Sequence, residues 1–323
     1  MTVRFAAALL AGCLAIGPAS ALADETSTAE QVVAVMNKLW GQHAGKRANH
    51  AKGVVLEGVF TPSPEGRALS KAALFSGAQV PVTVRFSDST GMPALPDGAA
   101  AANPHGMAIK FHLATGDEVD IVANSLPFFP VATGEDFRDL LQAIVDSPQG
   151  AAHPTKAEQF FGSHPAAGAA FGALKTPSSF AREVYNGVDT FVFVAADGAK
   201  TPFRFKITPD GGPDHLSADA AAKLPPDGLI DEIGPRVAAQ PAGFTLQAQL
   251  AGPGDPIDDA TKPYPAERKT IDLGKLALTK TVAEENTLFF LPLNLVAGIE
   301  PSADPLIAVR NDAYAISFSR RVQ

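Results

Sequence analysis

Cysteine is all but missing from this chain of 323 residues: Cys13 is the only one. An intrachain disulfide is therefore impossible. Zinc–thiolate sites, iron–sulfur clusters and covalent c-type haem attachment, which all need several thiols, are excluded with it. Basic charge is also scarce, with 26 Lys and Arg against 34 Asp and Glu and a formal net charge of −8. Such a balance argues against nucleic-acid partners, whose phosphates need a positive surface. Long apolar runs are absent beyond the N-terminus, so no later segment is expected to span a membrane. The sequence has neither a phosphate-cradling Gly-rich loop nor an HExxH zinc helix. Only one Trp and three Tyr are present, and each of them is worth locating.

The N-terminus reads as an export signal. Arg4 supplies the positive start, Phe5 to Ile16 the apolar stretch, Gly17-Pro18 the break, and Ala21-Leu22-Ala23 a small-x-small cleavage site. Residues 1–23 are expected to be removed on export to the periplasm, leaving 24–323 as one domain. Leu10-Ala11-Gly12-Cys13 also matches a lipoprotein box, but the apolar residues continue well past Cys13. Without Arg4 the balance is 25 basic to 34 acidic residues, or −9. A mature chain without cysteine must be held by its core, and its length allows a large one.

Hydrophobic periodicity outlines the rest. Residues 28–40 read as an amphipathic helix with Val32, Val35, Met36 and Leu39 on one face. The basic stretch 46–53 runs into a strand at 54–60. Pro62 and Pro64 suggest a turn, and 68–75 a helical piece. Strands follow at 81–87, 107–113 and 119–124. A helix is expected from about Gly134, with Phe137, Leu140, Leu141, Ile144 and Val145 at helical spacing, then an Ala-rich helical region over 155–173. Strands return at 190–195, 202–208, 243–250, 269–278 and 286–291, with a short helix near 228–238 and a closing helix after Pro301. About eight mostly antiparallel strands with inserted helices predict an α+β fold built on a closed antiparallel barrel.

Near the end stands Arg310-Asn311-Asp312-Ala313-Tyr314. On a helix, residues four apart share a face, so Arg310 would lie one turn beneath the phenol of Tyr314. A phenol is neutral at pH 7, and ionising it there takes about 4 kcal/mol. A guanidinium and a ferric ion together could supply that. A tyrosine and an arginine simply packed on a helix would look the same.

Four stretches in order resemble the monofunctional haem catalases, and within them the small catalase-related peroxidases. Arg47-Ala48-Asn49-His50-Ala51-Lys52-Gly53 is similar to the distal-histidine segment. Val84-Arg85-Phe86-Ser87 resembles the segment whose serine bonds that histidine. Asn103 to Phe111 and Asp120 to Asn124 resemble the next two strands, and Ile299 to Asp304 with Arg310 and Tyr314 resembles the proximal helix. The resemblance covers roughly residues 45–140 and 285–321.

It implies haem b as cofactor, with Tyr314 as the iron ligand and Arg310 holding the phenolate. His50 would be the distal acid–base and Ser87 its partner. Arg47, Arg85 and Arg321 would meet the propionates, and Phe137 the haem edge. Ser125 is taken to occupy the place of the distal-pocket asparagine, which would disfavour fast dismutation. His105 stands where the family has an arginine. The expected activity is reduction of organic hydroperoxides and hydrogen peroxide by an external one-electron donor. Dismutation of hydrogen peroxide, a non-catalytic haem-binding barrel and rearrangement of fatty-acid hydroperoxides are the alternatives. A shorter shell than the large catalases' implies a wider haem approach and a monomer or small oligomer. The acidic pairs Asp258-Asp259 and Glu284-Glu285 read as solvated loops, and Tyr185 and Tyr264 as loop or edge aromatics.

Overall fold

Alternating apolar residues build most of the molecule. The computed structural model describes residues 26–323; the expected signal segment, including Cys13, lies outside the described residues. Ten strands form one sheet: β1 (Gly53–Pro62), β2 (Val80–Asp88), β3 (His105–His112), β4 (Glu118–Asn124), β5 (Tyr185–Asn186), β6 (Phe191–Val194), β7 (Lys200–Pro209), β8 (Ala242–Leu250), β9 (Thr270–Val282) and β10 (Ile299–Pro301). Eight of them close a ring in the order β1-β2-β3-β4-β5-β7-β8-β9, with β9 returning to β1 and every pairing antiparallel. Strand β7 is shared on one edge: its C-terminal half meets β5, and its N-terminal half meets β6, which carries β10.

One parity of each strand fills the barrel. Val82, Val84 and Phe86 on β2, Met107, Ile109 and Phe111 on β3, and Val119, Ile121 and Ala123 on β4 belong to one buried cluster. Phenylalanine dominates it, with Phe86 stacked on Phe180 and Phe193 stacked on Phe203 at a centroid distance of 3.6 Å. Each such side chain contributes about 1.5–3 kcal/mol by burial. The other parity faces out, and there a helical layer covers the wall.

That layer is α1 (Thr28–Trp40), α3 (Gly134–Val145) and α8 (Pro305–Arg321), which touch one another. Each begins on a side-chain cap: Ser27 in a capping box with Glu30, Thr133, and Asp304 followed by Pro305. The remaining helices are α2 (Pro64–Leu69), α4 (Lys156–Ser163), α5 (Pro165–Gly172), α6 (Ala218–Ala221) and α7 (Gly228–Ala239).

Several expectations change. Pro64 opens α2, so the helical piece starts earlier than 68 and ends in a 3-10 turn at Ala73–Phe75. Pro165 divides 155–173 into α4 and α5. Residues 286–291 pair with no strand and form a connecting segment, because their backbone is claimed elsewhere: Leu288 O accepts from Arg47 and Arg321, and Leu291 N donates to Asp120. Tyr185 is fully buried in the barrel, its hydroxyl donating to Phe180 O, and Tyr264 is buried against Thr190 beneath Arg204. Tyr185 is thus a barrel residue on β5, whereas Tyr264 does lie in a loop, between β8 and β9, but is buried there.

Candidate active site

Strand parity builds the site on the outer wall of the barrel. Gly53, Ser87, Gly106 and Asn124 are cross-strand neighbours along one rung of β1 to β4, and Val55, Arg85, Ala108 and Val122 along the next. Opposite, α8 offers Tyr314, Ser317, Phe318 and Arg321, a stripe with spacings of three and four. Between wall and helix runs a cleft with an empty volume of about 850 Å³, lined among others by His50, Ser87, Asn124, Tyr314 and the arginines 47, 85 and 321. Ala48 N donates to Ser317 Oγ at 3.0 Å and ties the histidine segment to α8.

His50 is held in an unusual pose. Its φ is +59°, a left-handed conformation that non-glycine residues rarely adopt, and it is the sole positive-φ residue other than glycine among the described residues. Its Nδ1 lies 3.0 Å from Ser87 Oγ, and no hydrogen bond occupies Nε2 among the described residues. Gly106 makes this possible: a Cβ there would come within 2.8 Å of Ser87 Oγ and 3.0 Å of the imidazole. Burial, then the charges of Arg85, Arg47 and Arg310, push the imidazole down to about 3. The ring is therefore neutral at physiological pH, and with its proton on Nδ1 it presents a lone pair at Nε2.

At one end of the cleft three arginines converge. Arg85 Nε donates to Glu284 at 2.8 Å, Arg47 donates to the same carboxylate and to Leu288 O, and Arg321 donates to Leu288 O. Glu284 does lie in an exposed loop after β9, but its carboxylate is held by two arginines, a pairing invisible at 199 residues' separation from Arg85. Three guanidiniums and one carboxylate leave two positive charges. Arg85 Nη2 and Arg321 Nε are buried without a partner among the described residues. Burial, and then Arg47, lower Arg85 and Arg321 to about 10. Two unsatisfied donors and two surplus charges fit a dianionic ligand.

One turn before Tyr314 on α8, outside the lining of the cleft, Arg310 pairs with buried Asp189. Burial opposes its charge, yet Asp189, Tyr314 and Asp304 outweigh burial and hold it above the usual guanidinium range. Asp304, which caps α8 through its bond from Leu306 N, is pushed up to about 6 by burial and by Asp189. Asp189 was not legible as a site residue, since no motif marks it. Among the described residues no group of three His, Cys, Asp or Glu could hold a metal ion.

One expected residue stands differently. Ser125 does not line the cleft: its hydroxyl accepts from His105 N at 3.1 Å and its own N–H donates to His105 O. The even-numbered residues of β4 face outward, so it is Asn124 that lines the cleft beside His50. Phe137 on α3 lines an adjoining apolar vestibule with an empty volume of about 1270 Å³, which shares Met36, Asn49, His50, Asn124, Ala313 and Tyr314 with the cleft. His105 is wholly buried, with Nδ1 at 3.1 Å from Asp88.

This arrangement has relatives. The chain is 32% identical over 302 residues to a catalase-related peroxidase of Mycolicibacterium paratuberculosis, covering 91% of this chain and 95% of that one. It is 31% identical over 304 residues to a catalase-related peroxidase of Synechococcus elongatus, covering 92% and 89%. Among solved structures, catalase A from Saccharomyces cerevisiae superposes with a TM-score of 0.78 at 20% identity, over 87% of this chain and 62% of that one. A bacterial catalase gives 0.76 at 23% identity, over 87% and 58%. This chain thus spans about three-fifths of those longer catalase chains. The sequence profile named Catalase matches residues 29–322, from the first helix of the covering layer to the end of the last, and with it the chain belongs to the catalase family.

Proposed function

We propose that the protein is a haem b peroxidase that reduces organic hydroperoxides and hydrogen peroxide with an external one-electron donor, working in the periplasm after export. Tyr314 would hold the iron, with Arg310 favouring its phenolate, and Arg47, Arg85 and Arg321 would hold the propionates. When bound, the haem supplies a Lewis-acidic, redox-active iron able to accept the oxidising equivalents of a peroxide. The protein's part is proton handling and orientation. His50 Nε2 takes the proton from one peroxide oxygen and returns it to the other, which leaves as ROH, while Ser87 keeps the ring in the tautomer that does this. Tyr314, as the residue that would hold the iron, and the charged Arg310 would set the polarity on the α8 side of the cleft. The overall balance is ROOH + 2 AH₂ → ROH + H₂O + 2 AH•.

The observation that carries this reading is a neutral histidine, fixed through Nδ1 and bare at Nε2, in one cleft with an arginine-backed tyrosine. His50→Ala in the haem-loaded protein is expected to abolish hydroperoxide reduction while the haem stays bound. Full activity in that variant would contradict the mechanism.

Asn124 favours a second reading. With an asparagine amide lining the cleft beside His50, a second hydrogen peroxide has a hydrogen-bonding partner there, as dismutation requires. An oxygen electrode decides between the two. Without any donor, hydrogen peroxide should release little oxygen from a peroxidase, whereas rapid evolution identifies a catalase.

A further inference from the structure

A second concavity opens beside the cleft, between the end of α1, the loop 41–46 and the last turn of α8, with an empty volume of about 730 Å³. Its ionisable lining is His43, Lys46, Arg47 and Arg320, and it contains no carboxylate. On a chain with 34 acidic and 26 basic residues, such a patch runs against the overall charge. Arg47 is paired with Glu284, but among the described residues Lys46 and Arg320 have no carboxylate within ion-pair distance. The loop that presents the basic groups is fixed by its own bonds: Gly41 N to Asn37 O at 2.9 Å, Lys46 N to His43 O at 3.0 Å, and His43 Nε2 with Trp40 O at 3.1 Å.

The groove also adjoins the cofactor cleft. Arg47, Ala48 and Ser317 line both, and the Ala48–Ser317 hydrogen bond closes the wall between them. A molecule in the groove is therefore one residue away from the end of the cleft where the arginines converge. Positive potential in a concave site raises the local concentration and on-rate of anions and does the reverse for cations.

We propose that this groove docks the external reductant, and that the reductant is a small anion: a phenol or enediol carrying a carboxylate or sulfonate group. The proposal rests on the peroxidase reading. Each donor molecule AH₂ gives up one electron and one proton and leaves as AH•. Two donors are consumed per hydroperoxide, as in the balance above. Arg47, shared with the cleft, forms the wall across which the electron passes.

The test uses the holoenzyme and the double variant Lys46→Glu/Arg320→Glu, neither residue belonging to the cofactor cleft. Two phenols of opposite charge serve as donors: 4-hydroxybenzenesulfonate and tyramine. In the variant the KM for the sulfonate is expected to rise about tenfold, as two attractive surface contacts become repulsive, while tyramine oxidation is unchanged or improved. The peroxide KM and the absorption spectrum should not move. In the wild type the sulfonate KM should rise with salt, and in the variant, where salt screens a repulsion, it should fall. Parallel changes for both donors, or none for either, would overturn the proposal. If the double variant does not fold, Lys46→Gln and Arg320→Gln with the wild-type salt dependence make the same comparison. If the wild type oxidises neither phenol and evolves oxygen instead, the peroxidase reading fails on its own. Calorimetric titration of 4-hydroxybenzenesulfonate then still judges the groove: binding lost in the variant sustains an anion site, and no wild-type binding rejects it.

Discussion

His50 combines a rare backbone conformation, a single anchored ring nitrogen and a strongly lowered proton affinity. Its proton affinity has a consequence for stability. The ordinary imidazole titrates near 6.5, and here burial and three arginines bring it to about 3. As pH falls the unfolded chain takes up this proton before the folded one does. The contribution is therefore complete above about 6.5 and is lost progressively between about 6.5 and about 3. Denaturant midpoints of the apoprotein should fall across that window, and His50→Gln should remove this component of the fall. Gly106 gives a second prediction at this scale. A methyl group there meets Ser87 Oγ and the imidazole at 2.8–3.0 Å, so Gly106→Ala should displace the ring. A misplacement of about 1 Å costs up to about a hundredfold in turnover, so a loss of at most that size is expected, with the far-ultraviolet circular dichroism unchanged.

At the scale of elements, the two periodicities of strand and helix explain what the sequence disclosed. Arg85 and Ser87 lie two apart on β2 and so share a face, and Arg310, Tyr314, Ser317 and Arg321 follow helical spacing on α8. These residues sit where local pattern decides, and the structure brings them to one place. Ser125 follows the outward-facing Asn124, so the strand's alternation turns it away from the cleft and toward His105 N. Glu284, Asp189 and Tyr185 were illegible because their partners are supplied by closure of the barrel from distant segments. The segment 286–291 has strand-like composition, but side chains from β1's approach, β4 and α8 take its backbone groups. Glu284→Gln follows from this. Removing the carboxylate leaves Arg47, Arg85 and Arg321 facing one another, so the apoprotein should lose about 1–3 kcal/mol in a urea titration. Affinity for iron-free protoporphyrin, whose carboxylates take over that role, should rise. An unchanged apoprotein stability would show that the clamp is idle.

For the molecule as a whole, the cleft belongs to neither the barrel nor the helices alone. The barrel closes on its own apolar interior, the helical layer packs on itself, and the cleft is lined by both. The fold class was legible because eight alternating strands without a repeat leave few architectures that bury one face of each. Where the layer meets the wall stands Trp40, the only tryptophan, which lines the vestibule next to His50 and Tyr314. Haemin added to the apoprotein should therefore quench its fluorescence with one-to-one stoichiometry, and persistence of the emission would place the cofactor elsewhere.

The most direct test of the account concerns Tyr314 as the iron ligand. The visible absorption spectrum of the purified, haem-loaded protein should be that of high-spin ferric haem with a tyrosinate ligand, and Tyr314→Phe should lose it. A spectrum without haem after loading, or one that Tyr314→Phe leaves unchanged, would contradict the account.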